Sequence, residues 1–212
     1  MKTMNRILKL KYALVALLAL SFTTKSQAQN VIDDMYFNID WQMNAPLNTD
    51  FADKISGWGM NFEAGYYLTP HWSLGAFLSF HTNHKYVPRQ TYPISPTASL
   101  TTDQQQSAYR LPFGLMASYR FIETGYVRPY IGAKLGAMYA RNTTYVNSTG
   151  WYDNPWGFYV SPEIGLNIYP MPDKRFGFHV AGYYSYATND SQLLIGTLDG
   201  QQSVGFRVGV TF

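Results

Sequence analysis

Eight stretches of this sequence alternate apolar and polar residues with a period of two, and in each of them every acidic, basic or histidine side chain falls on the same parity. In Met35 to Met43 the residues Met35, Phe37, Ile39, Trp41 and Met43 share one face, and Tyr36, Asn38, Asp40 and Gln42 share the other. A period of two is the signature of a β-strand, whose successive side chains point to opposite sides. The same pattern recurs over 57–68, 72–80, 109–121, 130–139, 158–168, 176–186 and 203–212. The apolar parity carries no formal charge anywhere. Asp40, Glu63, Arg110, Arg120, Lys134, Glu163, His179 and Arg207 all occupy the other parity.

That distribution decides which side of a sheet meets water. A soluble barrel turns its charges outward; here the uncharged side is continuous and the charged side is rich in glycine and serine, which suits a narrow interior. Segments of about 9 to 13 residues, tilted near 40°, are long enough to cross a hydrocarbon layer. The connections alternate as well. Short ones are read at 69–71, 122–127 and 170–175, and long ones at 44–56, 81–106, 141–155 and 187–202. Short turns on one side and long loops on the other form the outer-membrane pattern. The expected fold is therefore all-β: an eight-stranded antiparallel up-and-down transmembrane β-barrel. With both ends of the barrel segment on the short-turn side, that side is read as periplasmic and the long loops as facing the exterior. Aromatic residues gather at the strand ends, where an interfacial girdle is expected. Trp72, Tyr119, Phe121 and Phe176 lie at the short-turn side; Trp58, Phe80, Tyr109, Tyr139, Phe158 and Tyr186 lie at the other.

Residues 1–28 read as a cleaved signal peptide, leaving 29–212 as the barrel domain. Lys2, Arg6, Lys9 and Lys11 precede the apolar run from Tyr12 to Phe22, and Ser26 and Ala28 place small residues at positions −3 and −1 of a cleavage site. The apolar run, 11 residues long, falls short of the roughly 20 that a spanning helix needs. Removing the leader takes away five basic residues, counting Lys25, and no acid. The formal charge then changes from +3 to near −2, with 11 Lys+Arg against 13 Asp+Glu. The basic balance of the whole chain is thus no argument for nucleic-acid binding. No cysteine is present, so neither disulfides nor a lipidated cysteine enter, and stability rests on packing and closure.

The interior parity holds the candidate chemistry. A barrel of eight strands is just wide enough to be filled by side chains. Asp40, Glu63 and Glu163 balance Arg110, Lys134 and Arg207 there, with titratable His179 beside them. An unpaired charge at low dielectric costs several kcal/mol, so a plugged, polar lumen is expected, with Asp40 to Arg207 and Lys134 to Glu163 as expected pairs. No catalytic, cofactor or metal site is read. His81 and His84, with Asp103, open and close the second long loop and are read as solvated rather than as a catalytic or zinc set. Asn142-Thr143-Thr144 and Asn147-Ser148-Thr149 match glycosylation sequons but are read as polar turns. Pro88, Pro93 and Pro96 make that second loop a mobile one. Leu193, Leu194, Ile195 and Leu198 form an apolar cluster with two uses, covering the barrel mouth or contacting a partner. Tyr145, Trp151 and Tyr152 allow the same two readings.

The stretch from Tyr109-Arg110-Leu111-Pro112-Phe113 to Tyr119-Arg120-Phe121, with Arg128-Pro129-Tyr130-Ile131-Gly132, resembles the PorT-like outer-membrane β-barrel family, and the mature chain is similar to small OmpX/OmpW-type barrels. Val208, Val210 and Phe212 resemble the terminal signal read by the barrel assembly machinery, although Arg207 stands where that signal usually has glycine. The resemblance implies an outer-membrane location, lipid and the assembly machinery as partners, and roles from adhesion to secretion. It supplies no catalytic residue. A non-enzymatic structural or surface-interaction barrel is expected, with a surface partner reached through the long loops. A narrow OmpW-like channel is the alternative, and a lipid A-modifying enzyme the third reading.

Overall fold

The computed structural model describes residues 34–147, 149–171, 174–193 and 197–212; the expected signal peptide at 1–28 lies outside them. The described strands all lie in one compact unit, Met35–Phe212. It contains β1 (Met35–Leu47), β2 (Gly59–Tyr67), β3 (Trp72–Ser95), β4 (Ala98–Arg120), β5 (Val127–Val146), β6 (Thr149–Asp153), β7 (Trp156–Ile168), β8 (Gly177–Gln192) and β9 (Thr197–Thr211). Apart from the short β6, each strand pairs antiparallel with its neighbours in sequence. β1 and β9 meet from Asn38↔Thr211 to Leu47↔Gln202 and close a ring of eight strands. β6 lies outside the ring and pairs with the far end of β5, from Asn142↔Asp153 to Val146↔Thr149.

The period-two alternation is realised as inside and outside. Along β8 every second residue from Gly177 to Ser191 is buried and every intervening one is exposed. The outward set is bare apolar surface: Leu115 is 71% exposed and Ile164 66%. The inward set includes Asp40, Lys134, His179 and Arg207, all fully buried. This arrangement is inside-out relative to a water-soluble core, and it is the one a lipid solvent selects. No helix among the described residues is long and apolar enough to cross a membrane.

Glycines on the inward parity make room for rings. Tyr36 on β1 lies opposite Gly65 on β2, and a Cβ there would come within 2.4 Å of the tyrosine ring. Tyr130 on β5 covers Gly165 on β7 in the same way, at 2.5 Å. In both places a bare backbone is what allows a large side chain to lie flat along the wall.

Three of the four long connections are not loops. The second, expected as a mobile segment, is a continuation of β3 and β4 as a two-stranded hairpin, paired from His81↔Arg110 to Ser95↔Ala98. Its prolines are tolerated because of where they fall. Pro88 lies in the register shift between Val87 and Gln90, Pro93 borders a second shift, and Pro96 is in the turn, where the pairing is irregular or ends. The Thr, Gln, Tyr and Val residues between them favour strand. The third connection is the β5–β6 hairpin, turning at Asn147 in the left-handed region (φ 53°) that asparagine accepts. In the fourth, β8 and β9 run on to Gln192 and back from Thr197. Leu198 and Leu193 pack there with Phe51, Ala52 and Ala108, an apolar cover at the long-hairpin end; Leu194 and Ile195 lie outside the described residues.

A charge on the outer wall should be costly in proportion to its depth. Leu115→Arg, midway between Tyr109 and Tyr119, is expected to destabilise the barrel by about 2–4 kcal/mol, read as a lower urea midpoint in refolding from lipid vesicles. Thr101→Arg on the projecting part of β4 should leave the midpoint unchanged.

Candidate functional site

The inward residues form one connected polar network. Lys134, from the middle of β5, places Nζ 2.5 Å from Glu63 Oε1 on β2 and 2.7 Å from Glu163 Oε2 on β7. Arg207, from β9, reaches the same Glu163 oxygen at 2.5 Å and donates from Nε to Gln42 Oε1 at 2.9 Å. Its guanidinium also lies over the Tyr183 ring at 4.1 Å, a favourable cation–π contact. Asp40 accepts from Asn61 Nδ2 at 2.8 Å and contacts His179 Nδ1 at 2.7 Å. The other nitrogen of that ring is 2.6 Å from Tyr130 Oη, which is 3.3 Å from Glu163 Oε1. Asn38 and Asn61 donate to the two oxygens of Glu63 at 2.8 and 2.7 Å. Six of the eight ring strands contribute a side chain to this connected set.

The Lys134–Glu163 pair forms as expected, but Asp40 and Arg207 do not pair. The reason is register. β1 and β9 set Asp40 opposite Gly209 and Arg207 opposite Gln42, so the two side chains stand two residues apart along the seam. Arg207 is thereby taken by Glu163 and Asp40 by His179. Among the described residues no carboxylate pairs with Arg110. It donates to Asn83 Oδ1 at 3.2 Å and to Gln201 Oε1. At the short-turn end Arg120 donates to the Pro70 carbonyl at 2.7 Å and covers the Tyr67 ring.

His81 is a correction. It is not a solvated loop residue: β3 continues through it, it is buried in the lumen, and Nδ1 is 3.2 Å from Gln42 Nε2. His84, three residues on along a strand, is on the opposite, exposed face, so the two cannot share a ligand. Asp103 instead accepts from Tyr86 Oη at 3.3 Å. Among the described residues no three His, Asp or Glu side chains are placed to hold a metal ion. Sequence reasoning did not single out Tyr130, Asn61 and Gln42, which bridge the charged groups; their signal was an inward parity beside an acid or base.

The lumen is filled by more than ions. Tyr36, Phe77, Met116, Met138 and Tyr159 pack together on the inward side. The space left among Tyr36, Asn38, Glu63, Tyr67, Tyr130 and Glu163 is about 10 Å³, room for about one water. At the rim Trp72 and Tyr119 meet edge to face at 5.0 Å, and Tyr119 and Phe121 at 5.4 Å. At the other end Tyr139 packs on Trp156 at 5.2 Å, while Trp58 and Phe158 are exposed and Phe80, Tyr109 and Tyr186 lie along the outer wall. Phe176 contacts Phe178 at the short-turn end. Val208, Val210 and Phe212 face outward; Phe212 stacks on Phe37 at 6.1 Å, and the two backbones exchange hydrogen bonds of 2.7 and 3.0 Å across the seam.

Removing the cation at the centre should cost more than removing it together with one of its acids. Lys134→Met leaves Glu63 buried without a cation and Glu163 with Arg207 alone, and is expected to destabilise by about 3–5 kcal/mol. The double variant Glu63→Gln, Lys134→Met, which leaves Glu163 paired with Arg207, should recover at least half of that loss, both measured as urea midpoints of the folded barrel.

A family model for the outer membrane protein beta-barrel domain matches residues 13–212. No curated protein matches the chain. Among solved structures, Neisserial surface protein A is 16% identical, with 84% of this chain and 96% of that one covered and a TM-score of 0.50. Ail, the attachment invasion locus protein of Yersinia pestis, is 16% identical over 84% of this chain and 96% of its own, with a TM-score of 0.41. OprG from Pseudomonas aeruginosa is 12% identical over 84% and 93%, with a TM-score of 0.41. At these identities the likeness is one of fold. The family match, the closed ring and the uncharged outer wall agree: the chain belongs to the outer membrane protein β-barrel domain family and is a protein of the Gram-negative outer membrane.

Proposed function

We propose that the protein is a non-enzymatic, plugged barrel that presents its long hairpins at the cell surface for interaction or for envelope structure. The observation that carries this reading is the contrast between its two parts. The lumen is packed with buried ion pairs and rings, whereas β3–β4 and β5–β6 project beyond the aromatic belt with Tyr86, Tyr145, Trp151 and Tyr152 exposed. Because β1 starts and β9 ends at the short-turn end, that end is periplasmic and the hairpins are outside. Residues 1–28 direct export and are removed, and Val208, Val210 and Phe212 are read by the assembly machinery. The Tyr109–Phe113 and Arg128–Gly132 segments favour a position near the PorT-like and OmpX/OmpW-type members.

Catalysis on outer-leaflet lipid needs a nucleophile, a base and an orienting group that converge. His81 in the lumen, His84 on the opposite face and Asp103 beside Tyr86 do not converge, which supports the non-enzymatic reading. Two measurements test the proposal. A single cysteine at Thr97→Cys, in the β3–β4 turn of a chain that otherwise has none, should react with a membrane-impermeant maleimide on intact cells. The purified barrel in a planar bilayer should give no conductance above background. A protected Thr97→Cys would place the hairpins on the wrong side, and discrete conductance steps would replace the plugged barrel with the narrow OmpW-like channel.

A further inference from the structure

Beyond the membrane-spanning ring, β5 continues past Tyr139 and returns as β6. The cross-strand pairs Asn142↔Asp153 and Thr144↔Trp151 bring four side chains to one face of that hairpin. The end of β8 is fastened to the same face: Ser191 Oγ and the Gln192 N–H both donate to Asp153 Oδ2, at 2.9 and 3.1 Å. Between the hairpin and β8 lies a cavity of about 310 Å³ lined by Asn142, Thr144, Trp151, Tyr152, Asp153, Gln192 and Leu193. Its size is at the lower end of small-molecule sites, roughly 300–1,000 Å³.

Two independent features say what is missing from it. Asn142 is only 1% exposed, yet among the described residues neither its amide oxygen nor its amide nitrogen has a hydrogen-bond partner. A buried polar group is left without partners only at a cost, so an unsatisfied donor and acceptor on one side chain mark a site whose complement comes from elsewhere. Beside it Trp151 is 55% exposed and Tyr152 62%. Arg141 covers the Tyr152 ring at 4.7 Å, which leaves Trp151 as the open aromatic face.

The complement must offer hydroxyl-like groups that both donate and accept, next to a flat, weakly positive C–H surface that an electron-rich indole attracts. Among the described residues no lysine or arginine lines the cavity, and the Asp153 carboxylate does, so a phosphate, a sulfate or an acidic sugar would meet a like charge. An apolar chain would leave Asn142 unpaired. We propose that this cavity is a binding site for a neutral saccharide, stacked on Trp151 and hydrogen-bonded by Asn142, with Thr144, Asp153 and Gln192 ordering its hydroxyls. The inference rests on the hairpins lying outside the cell. The sugar then belongs either to a soluble or host glycan or to the hexose core of neighbouring lipopolysaccharide.

The test uses the full mature barrel in phospholipid nanodiscs. It is probed with an array of neutral hexose and N-acetylhexosamine oligosaccharides beside sulfated ones, and with core-bearing lipopolysaccharide beside lipid A that lacks hexoses. Saturable binding to neutral oligosaccharides assigns a free glycan; binding to core-bearing lipopolysaccharide without binding to lipid A assigns the membrane's own sugar. Trp151→Ala and Asn142→Ala should each weaken that binding at least tenfold, Trp151→Phe should retain most of it, and Tyr145→Ala, on an exposed aromatic outside the cavity, should leave it unchanged. The heat-dependent gel shift of each variant checks that the barrel has formed. Absence of saturable binding on every arm, preference for the sulfated probes, or equal loss in Tyr145→Ala would overturn the site. Labelling of Thr97→Cys on intact cells reports separately on the outward placement, so the two readings fail independently.

Discussion

A backbone in hydrocarbon has no water to pair with, and that constraint fixes the rest of this structure. Each unsatisfied N–H or C=O would cost several kcal/mol in the bilayer, so a sheet that crosses must have no edge. The edge is removed where β1 meets β9, from Asn38↔Thr211 to Leu47↔Gln202, and the last residue of that seam, Phe212, is held to Phe37 by two backbone hydrogen bonds. Once the ring is closed, the pleat divides every strand into a lipid side and a lumen side. The side chains then have no choice of solvent.

Closure creates the second problem, a lumen too dry for free charges and too narrow to be empty. The solution is shared charge rather than isolated pairs. Glu163 accepts from both Lys134 and Arg207, and Lys134 is shared between Glu63 and Glu163, so that no carboxylate depends on one partner. Asp40 reaches the same cluster through His179 and Tyr130. Amides fill the remaining lone pairs, and tyrosine rings lie over glycine backbone where a Cβ could not fit. Such a network fixes register and seals the lumen together, because a slip of one residue would turn Lys134 and its acids toward lipid.

The ring itself was legible in the sequence because both of its determinants are periodic. Alternation gives the strands, and the parity of Asp40, Glu63, Lys134, Glu163 and Arg207 gives the side. The partners were less legible. Asp40 and Arg207 are on adjacent strands at the seam, but the stagger that carries Arg207 to Gln42 is a property of the closed ring, not of either strand. His81 reads as a loop residue for a local reason: the alternation weakens beyond Phe80, and three prolines nearby suggest a loop. Those prolines fall at register shifts and in the turn, where a strand can hold them. Alternation puts Gln42 on the inward side, yet nothing in its spacing, or in that of Tyr130, says that the two bridge charges. The β5–β6 cavity was still less legible, since Asn142 and Trp151 meet only through pairing across a turn.

The most direct test of this account follows from the absence of native cysteine. Single cysteines at 112, 113, 115, 116 and 117 along β4, leaving Gly114 because a Cβ there would meet the Leu135 carbonyl at 2.2 Å, are spin-labelled in lipid vesicles and report collisions with membrane-dissolved oxygen and with a water-soluble nickel chelate. Oxygen accessibility should rise at 113, 115 and 117 and fall at 112 and 116, with the nickel reagent excluded from all five. Uniform accessibility along the strand, or nickel collisions in phase with the apolar positions, would contradict a closed wall with lipid on its uncharged side.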